Sequence, residues 1–216
     1  MFQMSARFAK LCVGTLFPAA VVFILLLRIA VMLHQSYGVG LWMALATSVL
    51  VCGFLLVIYT RLVSRRFLRR RQRRARWRQQ IVVASCLLAG YCAYAALSVS
   101  GVNVKSAEIR GELRTLHPFL RVAAGTVLFA DHELLLPDLA RETEDYAKMG
   151  LPTRVTSLHY RQDDGYVHAM DVRTKHRSKV RNGLVEAYFR ALGFRTLRHI
   201  GTADHLHVAL PVPPRG

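Results

Sequence analysis

Phe194-Arg195-Thr196-Leu197-Arg198-His199-Ile200, then Gly201-Thr202-Ala203-Asp204, then His205-Leu206-His207-Val208-Ala209-Leu210 decides how the chain is read. Two short runs flank a turn-forming segment, which predicts two strands joined by a turn. Side chains alternate faces along a strand. His205 and His207 therefore share one face, with Asp204 at the turn beside it.

Working upstream, Val180, Leu184, Val185, Tyr188, Phe189 and Leu192 recur at helical spacing and stop at Gly193. This predicts a helix over 178–192 with that stripe inward and a glycine C-cap. Tyr166 to Arg173 reads as a strand with Ala169 and Asp171 on one face and His168 on the other. Residues 138–153 are polar, with Gly150 and Pro152 as breakers, and read as a loop. Leu134-Leu135-Leu136 reads as a short buried strand. Residues 108–130 show an amphipathic pattern through Leu113, Leu116, Phe119, Leu120, Val127 and Leu128. The tail from Pro211, including 212–216, holds three prolines and lies outside the expected fold. Helix, strands, helix and hairpin over 108–211 predict a small α+β domain with an antiparallel sheet, entered through a linker at 101–107.

The first hundred residues are of another kind. The chain has 216 residues, is 53% hydrophobic and carries a formal charge of +17. All thirteen acidic residues lie at or after Glu108, and ten arginines crowd into 61–78. Apolar runs at about 11–33, 41–60 and 80–100 are each near the roughly 20 residues that cross a bilayer. Trp42 and Tyr59 stand near the ends of the second run, as interfacial anchors do. Positive loops beside spans stay in the cytoplasm. An inner 61–78 places Arg7 and Lys10 inside too, and sends everything after the third span to the outer side. The expected setting is the inner membrane of a bacterium, with a cytoplasmic N-terminus and a periplasmic C-terminal domain. The arginine block has no recognition motif around it, and contact with anionic lipid headgroups accounts for it without nucleic acid. Arg28 interrupts the first run and reads as a tolerated, snorkelling residue. Cys12, Cys52, Cys86 and Cys92 all sit in or beside apolar runs, which argues against a disulfide framework.

Chemistry concentrates in the outer domain. A strand bearing His207 beside one bearing Asp171 brings imidazole and carboxylate together, and His159 in the preceding loop completes three ligands. Three protein ligands leave a fourth position open, as catalytic zinc requires. Asp204 is a candidate base, and His205 a candidate group supporting the ligands. His168 is a rival ligand, although strand alternation turns it away. His117, His132, His176 and His199 read as surface or core residues. Spacing alone does not separate a metal site from histidines that fall together by chance.

Ser157-Leu158-His159-Tyr160, Ala169-Met170-Asp171 and His205-Leu206-His207, in that order, resemble the zinc D-alanyl-D-alanine peptidase family (M15), with the hedgehog signalling domain as a distant cousin. The resemblance covers about 110–211. It implies zinc ligands His159, Asp171 and His207, with Asp204 as general base where many members have Glu. It also implies an arginine upstream that holds the substrate carbonyl or carboxylate, for which Arg141 is the candidate and Arg154 the alternative. The chain departs from the family in the spacing of His159 and Asp171, which is lengthened by Arg161-Gln162-Asp163-Asp164 with Gly165 displaced. A loop can bulge out and leave both ligands in place, because lengthening a loop costs little. The expected function is hydrolysis of an amide next to a D-amino acid in peptidoglycan stem peptides. The rivals are a degenerate domain that binds wall peptides or a protein partner, and a sensor built around the spans.

Overall fold

The computed structural model describes residues 6–67, 82, 84, 86–91, 93, 112–137, 139, 150, 157–201 and 204–211. The chain divides into two compact units, Met1–Gly90 and Tyr91–Gly216.

In the first unit, α1 (Ala6–Tyr37) and α2 (Leu41–Phe67) pack on one another. Each contains a stretch long and apolar enough to cross a membrane, Ala20–Tyr37 and Leu41–Tyr59. The three-residue connection works because Gly38 adopts φ 64°, a left-handed conformation cheap only for glycine. His34 Nδ1 donates to the Val39 carbonyl at 2.8 Å and closes the turn. Leu26, Leu27, Ala30 and Val31 are buried on α1, and Ala44, Ser48 and Cys52 on α2. The small residues on α2 let the backbones approach, and Cys52 Sγ reaches the Val22 carbonyl at 3.5 Å. Leu50, Phe54 and Leu62 stay exposed, as a lipid-facing surface would. α2 runs past the expected end of its span into the arginine block. The third expected span, 80–100, lies largely outside the described residues, and those described within it are helical.

The second unit is α+β. Its described elements are α3 (Pro118–Ala130), β1 (Ala169–Arg173), α4 (Lys179–Leu192), β2 (Arg195–His199) and β3 (His205–Ala209). The open antiparallel sheet has the order β1-β3-β2, so β3 is central. Met170, Val172, Leu206 and Val208 share one face by strand parity and are fully buried. α4 packs on β2 and α3 on α4, and Tyr188 donates its hydroxyl to the Ala123 carbonyl at 2.9 Å between the two helices.

Three elements differ from the sequence-based expectation. The amphipathic stretch 108–130 is not one continuous helix: Glu112 is helical, 113–115 form a turn, and α3 starts at Pro118. Proline disfavours helical backbone in the residue before it, and His117 is accordingly non-helical at φ −53°, ψ 134° and caps Phe119 N–H with its ring. In α4, Val180 and Leu184 are exposed, and the inward stripe is Asn182, Val185, Phe189 and Leu192. Asn182 is tolerated there because its side-chain amide donates to the Thr174 carbonyl at 3.0 Å. Leu134 and Leu136 are buried as expected but stand outside the sheet's three strands, the Leu135 carbonyl accepting from Arg173 N–H at 2.9 Å. The ends of α4 match their sequence signals. The Ser178 hydroxyl accepts from Arg181 N–H, and Gly193 takes φ 99°.

Candidate metal centre

The register of β1 on β3 sets Asp171 directly opposite His207. Paired residues share a face, so one face of the sheet carries Asp171, His207 and Leu197 in a row. Arg173, His205 and His199 form the row on one side, and Ala169, Ala209 and Arg195 the row on the other.

His159 reaches this face from the preceding loop. The extra residues after it fold into a small closed hairpin. Arg161 pairs with Val167, Gln162 N–H donates to the Tyr166 carbonyl at 2.9 Å, and Gly165 turns at φ 80°. Asp164 tightens the turn by accepting from Tyr166 N–H at 3.0 Å and from His168 Nε2 at 2.8 Å. His168 N–H donates to the Leu158 carbonyl at 2.9 Å, which stitches the His159 loop to the entry of β1. The insertion therefore loops out and leaves His159 beside Asp171. It also occupies the His168 ring, the rival ligand, with Asp164.

His159 and Asp171 are each 3% exposed. His159 Nε2 lies 3.2 Å from His207 Nδ1 and 3.5 Å from Asp171 Oδ1. His207 Nδ1 lies 2.9 Å from Asp171 Oδ1. Ligands held at about 2.0–2.1 Å around a tetrahedral ion are separated by about 3.3–3.4 Å. The three observed separations bracket that edge. The protonation pattern agrees. His159 Nδ1 donates to the Leu139 carbonyl at 2.7 Å, so in the neutral ring Nε2 presents a lone pair to the other two ligand atoms. Acceptors that converge on one point need a proton or a cation between them. Where a proton rather than a cation fills that point, burial acts to raise the Asp171 carboxyl, but hydrogen bonds from the His159 and His207 rings, then protonated on the facing nitrogens, outweigh it and hold the group well below the usual carboxylate range. The set of two imidazoles and a carboxylate suits a divalent transition metal.

The other expected site residues are placed as follows. His205 lies on the same face, with Nε2 3.8 Å from Asp171 Oδ2 and its ring stacked on His199 at 4.7 Å. Asp204 is not brought into the cluster. Thr174 Oγ1 donates to its Oδ1 at 3.0 Å, and Arg198 approaches Oδ2 at 3.3 Å. Arg198 pairs with Leu206 and Thr174 follows Arg173, so by alternation both side chains belong to the sheet's opposite face. Asp204 precedes His207 by three residues, an odd step, and takes that same parity. Burial acts to raise the Asp204 carboxyl, and the bonds from Arg198 and Thr174 outweigh it and lower it. Asp204 is thus engaged by Thr174 and Arg198 and lies outside the group of three converging ligand atoms. Arg141 and Arg154 lie outside the described residues.

A cavity of about 430 Å³ opens beside His207. Leu158, Phe194, Leu197 and Ala209 make its apolar walls, and Arg190 and Arg195 border it. Sequence reasoning missed the Leu139 carbonyl, since no side chain advertises a backbone acceptor. It also missed Leu197 and Arg195, which strand parity and the β2–β3 register together identify.

No family model matches this chain, and no curated protein or solved structure matches it.

Proposed function

We propose that the chain is a membrane-anchored, zinc-dependent peptidase that hydrolyses an amide next to a D-amino acid in peptidoglycan stem peptides on the periplasmic side. The observation that carries this reading is the convergence of His159 Nε2, Asp171 Oδ1 and His207 Nδ1 at 2.9–3.5 Å, beside a cavity sized for a small ligand. The order of the motifs around these residues supports zinc and a wall peptide. The two apolar helices and the arginine run support the anchor and its orientation.

His159, Asp171 and His207 would hold the zinc ion, which would supply a Lewis acid for the carbonyl and a water acidified towards neutral pH. The chain's own residues do the rest. Leu139 fixes the tautomer of His159, and Asp171 supplies the negative charge that balances the ion. His205 Nε2, on the site face and not a ligand, takes a proton and returns it to the leaving amine. The apolar walls seat the residue beside the cleaved bond. Arg141, or Arg154 in its place, serves the carbonyl oxygen.

The engagement of Asp204 by Thr174 and Arg198 favours one rival, a domain that holds metal and wall peptides without cleaving them. Full-length protein in detergent, incubated with purified muropeptides with and without chelator, decides between them. Cleavage that chelator stops and zinc restores supports the peptidase. Peptide binding without cleavage overturns it in favour of the rival.

A further inference from the structure

The α+β unit carries a second feature, away from the metal centre. Tyr91, inside the third apolar run, shares a hydrogen bond of 2.6 Å with Thr126 Oγ1 on α3. One side of α3 therefore meets a segment whose composition suits a bilayer. The C-terminal end of α3 is tied in turn to the start of α4. Asp131 accepts from Arg177 and, at 3.1 Å, from Arg181, and Glu133 also pairs with Arg181. Flanking this junction, three large apolar side chains face solvent: Phe129 is 72% exposed, Val180 72% and Leu184 66%. Val180 and Leu184 stand four residues apart on α4 and so share a face. Residues 173–181 hold five Lys and Arg and no acid, and Lys175 and Lys179 are exposed in the same segment as Val180. Single exposed apolar residues are ordinary, but a group of them beside cations marks an interaction surface.

We infer that the end of α3 and the first turns of α4 form a docking face for an anionic phospholipid surface. Phe129, Val180 and Leu184 enter the boundary between headgroups and acyl chains, and Lys175 and Lys179 meet the phosphates there. Apolar side chains with cations beside them are what holds a helix in that boundary. Charge selects lipid over a second copy of this chain, because two copies of this face would bring like charges together. The bond from Tyr91 to Thr126 supplies continuity, since α3 already meets an apolar run of the anchor. Docking holds the domain at one height above the bilayer and keeps it from turning freely on its tether. The inference rests on the membrane anchoring in the proposed function and is independent of the chemistry at the metal.

The test uses the full chain in vesicles, with Trp42→Phe and Trp77→Phe and one reporter, Val180→Trp. Leu184→Trp is a second reporter on the same face. Ile200→Trp, at a position 85% exposed beyond β2, is the control. The vesicles hold phosphatidylcholine with or without phosphatidylglycerol, and a brominated acyl chain quenches any tryptophan that enters the lipid. Quenching at 180 and 184 is expected to exceed that at 200 by at least about threefold. It is expected to fall by at least about half without phosphatidylglycerol, and likewise in Lys175→Glu combined with Lys179→Glu. Equal quenching at all three positions overturns the inference. So does quenching that neither the anionic lipid nor the lysine reversals change. Shielding of 180 and 184 from dissolved iodide without lipid quenching also overturns it, because a protein contact then covers the face. Recovery of the chain with the vesicles tests the anchor separately. A chain that is incorporated but not quenched removes only this inference, and one that is not incorporated removes the anchor as well.

Discussion

Replacing Asp204 with alanine separates two incompatible roles for that residue. If Asp204 moves protons at the metal, Asp204→Ala leaves the fold alone and abolishes turnover. In the structure its carboxylate bonds Thr174 and Arg198. Thr174 is 2% exposed, and its hydroxyl donates to Asp204 Oδ1 at 3.0 Å. Removing the acceptor strands a buried hydroxyl, which costs about 1–3 kcal/mol. The Arg198 contact at 3.3 Å joins side chains 29% and 18% exposed, so solvent screening holds its share below about 1 kcal/mol. Each kcal/mol lowers the melting temperature of a domain of this size by roughly 4–8 °C. Thermal protease susceptibility of the full chain in detergent is therefore expected to shift down by about 4–30 °C. Zinc content and turnover at low temperature are expected to stay within about threefold of wild type, as for a change remote from the reacting atoms. An unshifted melting transition with turnover lost more than a hundredfold would refute this reasoning and return Asp204 to the centre.

Other outcomes follow from single contacts. Asp171→Asn in chelator-treated protein is expected to erase an acid-sensitive part of the stability. Because the folded carboxyl lies below its unfolded value near 3.9, its contribution is complete above that value and is lost as pH falls from about 4 through the folded one. Unfolding curves of wild type and variant that stay parallel below pH 4 would count against it. Phe189→Ala removes a fully buried ring that contacts Phe194 at 6.2 Å. It is expected to destabilise the domain by about 3–5 kcal/mol and to weaken ligand binding in the cavity, measured by urea denaturation and calorimetry. Gly193→Ala forces a side chain into φ 99° and is expected to cost about 1–2 kcal/mol with no change in zinc content.

Much of the sheet was legible. Alternation along His205–Ala209 put His205 and His207 on one face, and alternation along Ala169–Arg173 put Asp171 opposite His168 in orientation. α4 announced both ends, because Ser178 and Gly193 satisfy backbone groups through local chemistry that needs no partner. The inward face of α4 was not legible. Val180-Leu184 and Val185-Phe189 are adjacent apolar stripes, and the buried bond from Asn182 to Thr174 selects the second. The site shows the same division. Parity gave the faces, but the pairing of Asp171 with His207 is a register, set by contacts distant in sequence. The contacts of Asp204 with Thr174 and Arg198 were hidden for a related reason. Three residues is a short step in sequence and an odd one on a strand, so nearness to His207 did not mean a shared face. The extra residues after His159 were harmless because Gln162, Asp164 and Gly165 bond within their own turn.

The central claim is that His159, Asp171 and His207 hold one metal ion together, and zinc stoichiometry tests it most directly. Full-length protein would be loaded with zinc, dialysed against metal-free buffer and assayed for bound metal, alongside His159→Ala, Asp171→Ala and His207→Ala. The account predicts about one zinc per wild-type chain and almost none in each variant, with the domain still folded. Wild-type protein that retains no zinc, or three variants that each keep a full equivalent, would contradict it.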